Sequence, residues 1–198
     1  HRAADSRRGQ PGPLVARVTG ALKRVAVRAV LALLVAHWVF FLYIGCFSLL
    51  FRLVDPPLTA LMMHRALVAG HTLVPLRPVA LESLPASVPR MFVKVEDYVF
   101  YEHFGIDWKA IQDAYHINRR LGYVYYGGST ITQQLARTLF LVPDRTYVRK
   151  YLEAVASVEM EILLPKDRIL ELYVNTIEFG KGVFGLGAAA QYYYGRSA

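Results

Sequence analysis

Charged and apolar positions divide the chain into two unlike parts. Between residues 29 and 51 there is no Asp, Glu, Lys or Arg, and His37 is the only residue that titrates near neutral pH. At about 1.5 Å per residue, some 20 helical residues span a hydrocarbon core of roughly 30 Å, so the pattern predicts one transmembrane helix over 29–51. A buried core helix is the ordinary alternative, but core helices rarely stay apolar on every face for this long. A cleaved signal peptide is another. This run is longer than a typical signal core, and Pro56 and Pro57 follow it in place of a small-residue cleavage site. Prolines 56, 57, 75, 78, 85 and 89 then punctuate residues 52–90, with a short helix predicted over 58–69. From Met91 onward apolar residues recur at helical spacing with little strict alternation. Helices are predicted over 89–101, 107–119, 130–141, 146–164 and 167–175, with a last one after a glycine-studded loop at 180–187. A Gly/Tyr-rich loop is predicted over 121–128.

Composition adds a direction to this picture. The chain has 198 residues, room for one membrane segment and one compact domain. Its mean hydropathy of +0.29 is high for a soluble protein and is traced to the apolar run. Before that run stand Arg2, Arg7, Arg8, Arg17, Lys23, Arg24 and Arg28 against Asp5. The positive-inside rule places such a flank in the cytoplasm and the rest of the chain outside. Four segments follow: a basic, disordered cytoplasmic tail at 1–28, the anchor at 29–51, a connector at 52–83 and an outer, mostly α domain at 84–198. The net charge of +8 includes Arg119, Arg120, Arg137, Arg145, Arg149 and Lys150 in the outer domain. Such charge favours anionic partners, and an exported domain leaves anionic lipid or a lipid phosphate rather than nucleic acid. Cys46, inside the apolar run, is the sole cysteine, which excludes an intrachain disulfide framework and a cysteine metal site. The chain begins at His1 and reaches Ala198 without a stop signal in its pattern, the expectation for a fragment.

Four stretches carry candidate chemistry. "VEDYVFYEHFGID", residues 95–107, sets Glu96, Asp97, Glu102, His103 and Asp107 among aromatics. Adjacent carboxylates in such surroundings suit a general base, whereas the ordinary reading is surface charge with His103 capping a turn. "GGSTITQQLARTLFL", residues 127–141, opens with Thr130 and Gln133 at capping-box spacing. Ile131, Leu135 and Leu139 form its apolar line, and Gln133 and Arg137 share another, beside Gln134. Gly127 and Gly128 would let the backbone approach a ligand and leave amides free, making this helix start an anion site; an ordinary capped helix is the alternative. In "RKYLEAVASVEME", Arg149 and Glu153 share a helix face, as a plain surface ion pair or as part of a phosphate site. "ILELYVNTIEFGKGVFGLGAAAQYYYG", residues 169–195, reads as scaffold, with Asn175 and Glu178 its polar exceptions.

In this order and spacing, the four stretches resemble the glycosyltransferase family 51 domain, the peptidoglycan glycosyltransferases of class A penicillin-binding proteins and monofunctional transglycosylases. The resemblance covers residues 84–198. The motif E-D-x-x-F-x-x-H-x-G-x-D is met by Glu96, Asp97, Phe100, His103, Gly105 and Asp107; G-G-S-T-I-T-Q-Q is met unchanged from Gly127 to Gln134; R-K-x-x-E is met by Arg149, Lys150 and Glu153. "EFGKGVFG" is closer to the monofunctional enzymes. The resemblance implies a lysozyme-like α domain, tied to the bacterial cytoplasmic membrane and facing the periplasm or outer surface. It implies polymerisation of lipid II into β-1,4-linked glycan, with inversion at the donor anomeric carbon and release of undecaprenyl pyrophosphate. Glu96 and Glu153 are then the catalytic carboxylates, Glu96 as base and Glu153 organising the donor site. Asp97, Ser129, Thr130, Gln134, Arg137, Arg149 and Lys150 are expected to bind substrate. Phe100, His103, Gly105, Asp107, Gly127 and Gly128 are expected to build the motif. No tightly bound cofactor or protein-held metal is expected; a divalent cation, Mg²⁺ or Mn²⁺, assists at the pyrophosphate in some members. The expected partners are lipid II, the growing lipid-linked strand, the membrane, and cell-wall synthesis and division proteins. Arg137 replaces a Lys common in the family, and Thr138 an Asn. The last part of the family's domain is expected to lie beyond Ala198. A lysozyme-like glycan hydrolase and a non-catalytic membrane-anchored scaffold are the competing functions; the first has no need of the cations at 137, 149 and 150. The aromatic loop at 121–126, with Trp108, Tyr115, Arg119 and Arg120, suits a membrane surface or a mobile cover over a cleft.

Overall fold

A computed structural model of the protein describes residues 13–197, with side chains from Gly20 onward. The chain falls into two compact units, His1–Leu42 and Tyr43–Ala198. The first unit is helical. Helix α1 runs from Pro13 to Phe51, so residues 13–28, expected as part of a disordered tail, are helix instead. Proline suits a first helical position, and the Ala, Leu, Arg and Lys residues that follow are good helix formers. The rest of the expected tail, residues 1–12, lies outside the described residues. Within α1, Gly20–Phe51 is long and apolar enough to cross a membrane.

The second unit is mostly α, as the periodicity requires. It contains the end of α1, then α2 (Ala60–Leu67), α3 (Ser87–Glu96), α4 (Trp108–Leu121), α5 (Ile131–Phe140), α6 (Tyr147–Leu163), α7 (Lys166–Thr176) and α8 (Leu186–Tyr194). The loop expected at 180–187 is in part a small antiparallel hairpin, β1 (Glu178–Gly180) with β2 (Val183–Phe184). Gly182 turns it with φ +76°.

Helix α5 is the centre. Ile131 and Leu135 are fully buried and Leu139 nearly so, which is the predicted apolar line, and Ala136 is buried beside it. Ile131, Leu135 and Leu139 each contribute about 1.5–3 kcal/mol by leaving water. Helices α2, α6 and α7 surround α5, and Phe140 at its end stacks on Phe51. Helix α7 is buried on several faces through Ile169, Leu170, Leu172, Tyr173 and Val174. Phe100 from the first motif is fully buried and carries the Lys166 ammonium 4.4 Å from its ring centre.

The stretch expected as a separate connector is bonded into this unit. Asn175 accepts a hydrogen bond from the Val79 amide and donates one to the Val79 carbonyl, both at 2.9 Å. Glu171 accepts from the Leu81 amide at 2.7 Å, and the Val74 amide donates to the Gly182 carbonyl at 2.9 Å. Helix α2 is capped by Thr59 and inserts Met62 into the interior. Arg168 on α7 reaches back to Asp55 at 2.9 Å and to the Phe51 carbonyl at 2.8 Å. A segment with these bonds is a wall of the domain, and it brings its own side chains to the site.

Candidate active site

The two neighbouring carboxylates of the first motif part company. Glu96 ends α3 and is exposed, whereas Asp97 turns inward and is buried. The Asp97 carboxylate meets His103 Nε2 at 2.9 Å and accepts the Ile131 amide at 2.9 Å. Ile131 is the first residue of α5, so the anion at this helix start is an internal side chain. Two other amides there are also engaged. Thr130 Oγ1 accepts from the Gln133 amide and Gln133 Oε1 accepts from the Thr130 amide, each at 3.1 Å, the reciprocal box the spacing predicts. The Thr130 hydroxyl donates to the Gly105 carbonyl at 2.7 Å. Of the amides expected to cradle a phosphate at Gly127–Thr130, the Thr130 amide is taken up in this box. Asp97 satisfies one orphan donor, the Ile131 amide, and faces the positive end of the helix dipole from within.

Asp97 and Thr130, expected to bind substrate, line the cavity beside Glu96 and also hold the 97–107 loop against α5. Two motif glycines also make room for neighbouring backbone, whereas a Cβ on Gly127 would meet nothing within 4 Å. A Cβ on Gly128 would stand 2.8 Å from the Ala110 carbonyl oxygen, so this glycine admits α4 rather than a ligand. Gly105 has φ +78° and lies against the Ser157 backbone. Asp107 caps α4 by accepting the Ala110 amide at 2.9 Å. The motif thus resolves into one exposed acid, Glu96, and a scaffold that aims it.

Gln134 holds that acid. Its side-chain Nε2 donates to Glu96 Oε2 at 3.1 Å, and its Oε1 accepts from the Tyr173 hydroxyl at 3.0 Å. Burial first, and the Glu96 charge second, push the Tyr173 phenol above its ordinary value. The phenol can donate and the Glu96 carboxylate only accepts, so the amide oxygen faces Tyr173 and the NH₂ faces Glu96. The sequence pattern did not single out Tyr173; its position on an apolar line of α7 reads as core.

Two cavities flank this bridge. One, of about 580 Å³, is lined by Glu96, Glu102, Asp107, Asp113 and the 127–130 loop. The other, of about 420 Å³, is lined by Gln134, Tyr173, Arg137, Arg145, Arg149 and Arg65. Arg65 and Arg145 also escaped the sequence reading as site residues.

Beside the second cavity, Glu153 on α6 is fully buried. Arg149 and Lys150 both pair with it, Lys150 at 2.6 Å. Lys150 also donates to Ser129 Oγ at 2.9 Å, tying the 127–130 loop to the cations. The plain surface ion pair is thereby excluded: a carboxylate without solvent access holds two cationic side chains in place. The cationic cavity offers Asp144 and Glu178 among arginines, and Glu178 is engaged by Arg65. Among the described residues no three His, Cys, Asp or Glu side chains converge.

These features can now be set beside known proteins. A family model described as transglycosylase matches residues 71–198. The chain belongs to that family. It is 44% identical over 150 residues to a biosynthetic peptidoglycan transglycosylase of Caulobacter vibrioides, covering 76% of this chain and 64% of the relative. One of the same description from Herminiimonas arsenicoxydans is 52% identical over 112 residues, covering 57% and 48%. Another from Bdellovibrio bacteriovorus is 43% identical over 181 residues, covering 89% and 69%. The chain spans about half to two-thirds of the length of the curated relatives it matches. Within this transglycosylase family member, the residues brought together are Glu96, Gln134 and Tyr173 on one side and Arg149, Lys150, Glu153 and Ser129 on the other, with Arg137 on the wall of the cationic cavity.

Proposed function

We propose that this protein is a peptidoglycan glycosyltransferase that polymerises lipid II. One juxtaposition carries the reading. An exposed carboxylate, Glu96, is held by Gln134, and the next turn of the same helix opens with Arg137 on a cavity of arginines. A general base and an anion site on two sides of one amide suit transfer from a lipid pyrophosphate to a sugar hydroxyl. The relatives' description as biosynthetic transglycosylases supports the same class.

In this mechanism Glu96 takes the proton of the acceptor's 4-hydroxyl as that oxygen bonds to the donor's anomeric carbon. The bond from that carbon to the pyrophosphate breaks, configuration inverts from α to β, and undecaprenyl pyrophosphate leaves. Pyrophosphate needs charge stabilisation more than protonation, and Arg137, Arg149 and Lys150 supply it. Glu153 keeps Arg149 and Lys150 in position. A divalent cation, where it takes part, travels with the pyrophosphate rather than on a protein site. Helix α1 anchors the chain in the cytoplasmic membrane with the basic flank inside and the catalytic domain outside. The exposed Tyr123, with Tyr125 and Tyr126, which Asn118 ties back to α4, rests on the membrane surface. The partners are lipid II, the lipid-linked strand and the proteins of wall synthesis and division.

The test is extension of labelled lipid II by the detergent-solubilised full chain. Glycan ladders with wild type and none with Glu96→Gln are expected. A Glu96→Gln protein with near-normal rate would remove Glu96 from the role of base. Release of muropeptides from sacculi in the absence of lipid substrate would establish hydrolysis instead.

A further inference from the structure

Arg65 belongs to none of the motif stretches, yet it stands on the wall of the cationic cavity. Its backbone is fixed: Thr59 caps α2 at the Met62 amide, Met62 is buried, and the Arg65 carbonyl accepts from the His71 amide at 2.9 Å. Its guanidinium is fixed too. Nε and Nη2 both donate to Glu178 Oε2, at 3.0 and 2.8 Å. Two of the five guanidinium protons are thereby used. Nη1 has no partner among the described residues, and the side chain is about one-third open, at 32%.

We propose that Arg65 is a further substrate-binding residue, which with Arg137 grips the diphosphate of a prenyl-diphosphate-linked donor, and that Glu178 is the counter-charge that aims it. This inference rests on the reading of the cavity as the donor pyrophosphate site. The Nη1–Nη2 edge offers a fork of parallel N–H groups, the geometry that phosphate oxygens accept in pairs. The charged walls of the cavity, Arg65, Arg137, Arg145 and Arg149 against Asp144 and Glu178, sum to +2. That matches an inner and an outer phosphate better than a single one. Glu178 shares the cavity with the incoming anion and competes with it for the same arginine. The hairpin carries Glu178 and α2 carries Arg65, so the fit of both elements is felt at the donor.

The experiment titrates the detergent-solubilised full chain with farnesyl diphosphate, with farnesol as the blank, followed by calorimetry. Arg137→Ala tests the cavity reading, and Arg65→Ala and Glu178→Gln test the inference. Arg65→Ala is expected to weaken binding about tenfold, the loss of one charge-assisted contact. Arg65→Lys is expected to recover only part of this, because a point charge replaces a fork. Glu178→Gln keeps an acceptor for Arg65 and removes a negative charge, so binding is expected to tighten a few-fold. A structural clasp would give another pattern, with Arg65→Ala and Glu178→Gln weakened alike, and that result would overturn the proposal. Arg137→Ala weakened with Arg65→Ala within twofold of wild type would overturn it alone. Wild type binding farnesyl diphosphate no better than farnesol would sink the cavity reading and this inference together. Should Arg65→Ala fail to fold, the direction of change in Glu178→Gln decides.

Discussion

Glu96, Glu102, Asp107 and Asp113 line one cavity with Lys109 opposing them; Arg65, Arg137, Arg145 and Arg149 line the other against Asp144 and Glu178. Both touch α5 or the loop that leads into it, and Gln134 stands between them. The difference lies in how each charge is held. On the acidic side the motif spends Asp97, His103 and Asp107 on backbone amides and loop packing, leaving Glu96 exposed on the last residue of a helix. On the basic side the long side chains of Arg149 and Lys150 are pinned by a carboxylate that has lost its own solvent. A base needs access and a proton path; an anion site needs fixed positive charge that does not collapse onto its counter-ions. The same helix serves both because its N-terminal end is already neutralised by Asp97.

The contrast can be broken most sharply at Glu96. Glu96→Gln is expected to lower lipid II polymerisation by about 10³-fold, within the span usual for a general base, while farnesyl diphosphate binding stays within twofold of wild type. A loss of binding in that variant would show that the two cavities are not separable. Glu153→Gln attacks the other side. Removing the buried charge leaves Arg149 and Lys150 held by neutral contacts, so diphosphate binding and turnover are both expected to fall, by about 10²-fold in polymerisation rate over KM. Gln134→Ala tests the bridge. It frees Glu96 and leaves the Tyr173 hydroxyl without its acceptor, and about a tenfold fall in kcat with little change in diphosphate affinity is expected in the same assay. Tyr173→Phe should reproduce a smaller part of that fall, since Gln134 keeps its contact with Glu96.

Much of this arrangement can be read from residue order, and the remainder has identifiable reasons. The helices of the second unit follow the apolar period to within about two residues, except that α3, expected to reach residue 101, ends at Glu96, and the capping box at Thr130 is legible from two residues. Glu96, Arg137 and Arg149 stand out as charges in chemically suggestive spacing. The role of Asp97 is hidden because it depends on where the Ile131 amide arrives, 34 residues on. Gly128 looks like a ligand approach and serves α4, because sequence gives the absence of a side chain but not what fills the space. Tyr173 is concealed on an apolar face. Arg65 is concealed by the prolines after it, which suggest a linker, while Asn175 and Glu171 bind that stretch into the domain. Long-range partners, rather than local propensity, decide each of these cases.

Helix α6 contains its own control for the buried carboxylate at the cationic cavity. Six residues after Glu153 stands Glu159, also buried, with its Oε2 lacking a hydrogen-bond partner among the described residues. It faces Gly45, where a Cβ would stand 2.7 Å from Glu159 Oε1. No cation is paired with it, and burial pushes its carboxyl from the ordinary 4.5 up to about 7. The native state therefore holds this proton more tightly than the unfolded chain does. The associated stability is whole below about pH 4.5 and is lost as pH climbs to about 7, because the ionised form must be buried without a partner. Glu159→Gln removes the titration and keeps the shape. Its melting temperature is expected to exceed that of wild type by a few degrees at pH 8, with the gap closing toward pH 5, read by thermal melts of both proteins in the same detergent. Glu153→Gln, one and two-thirds turns earlier, is expected to lower the melting temperature at pH 8, since there the charge is the anchor of two others. Opposite signs from the same substitution on the same helix would establish that the cations, and not burial as such, make Glu153 a stable anion. A gain in both would mean that the Arg149–Lys150–Glu153 cluster costs stability and is kept for the chemistry of the cavity it faces.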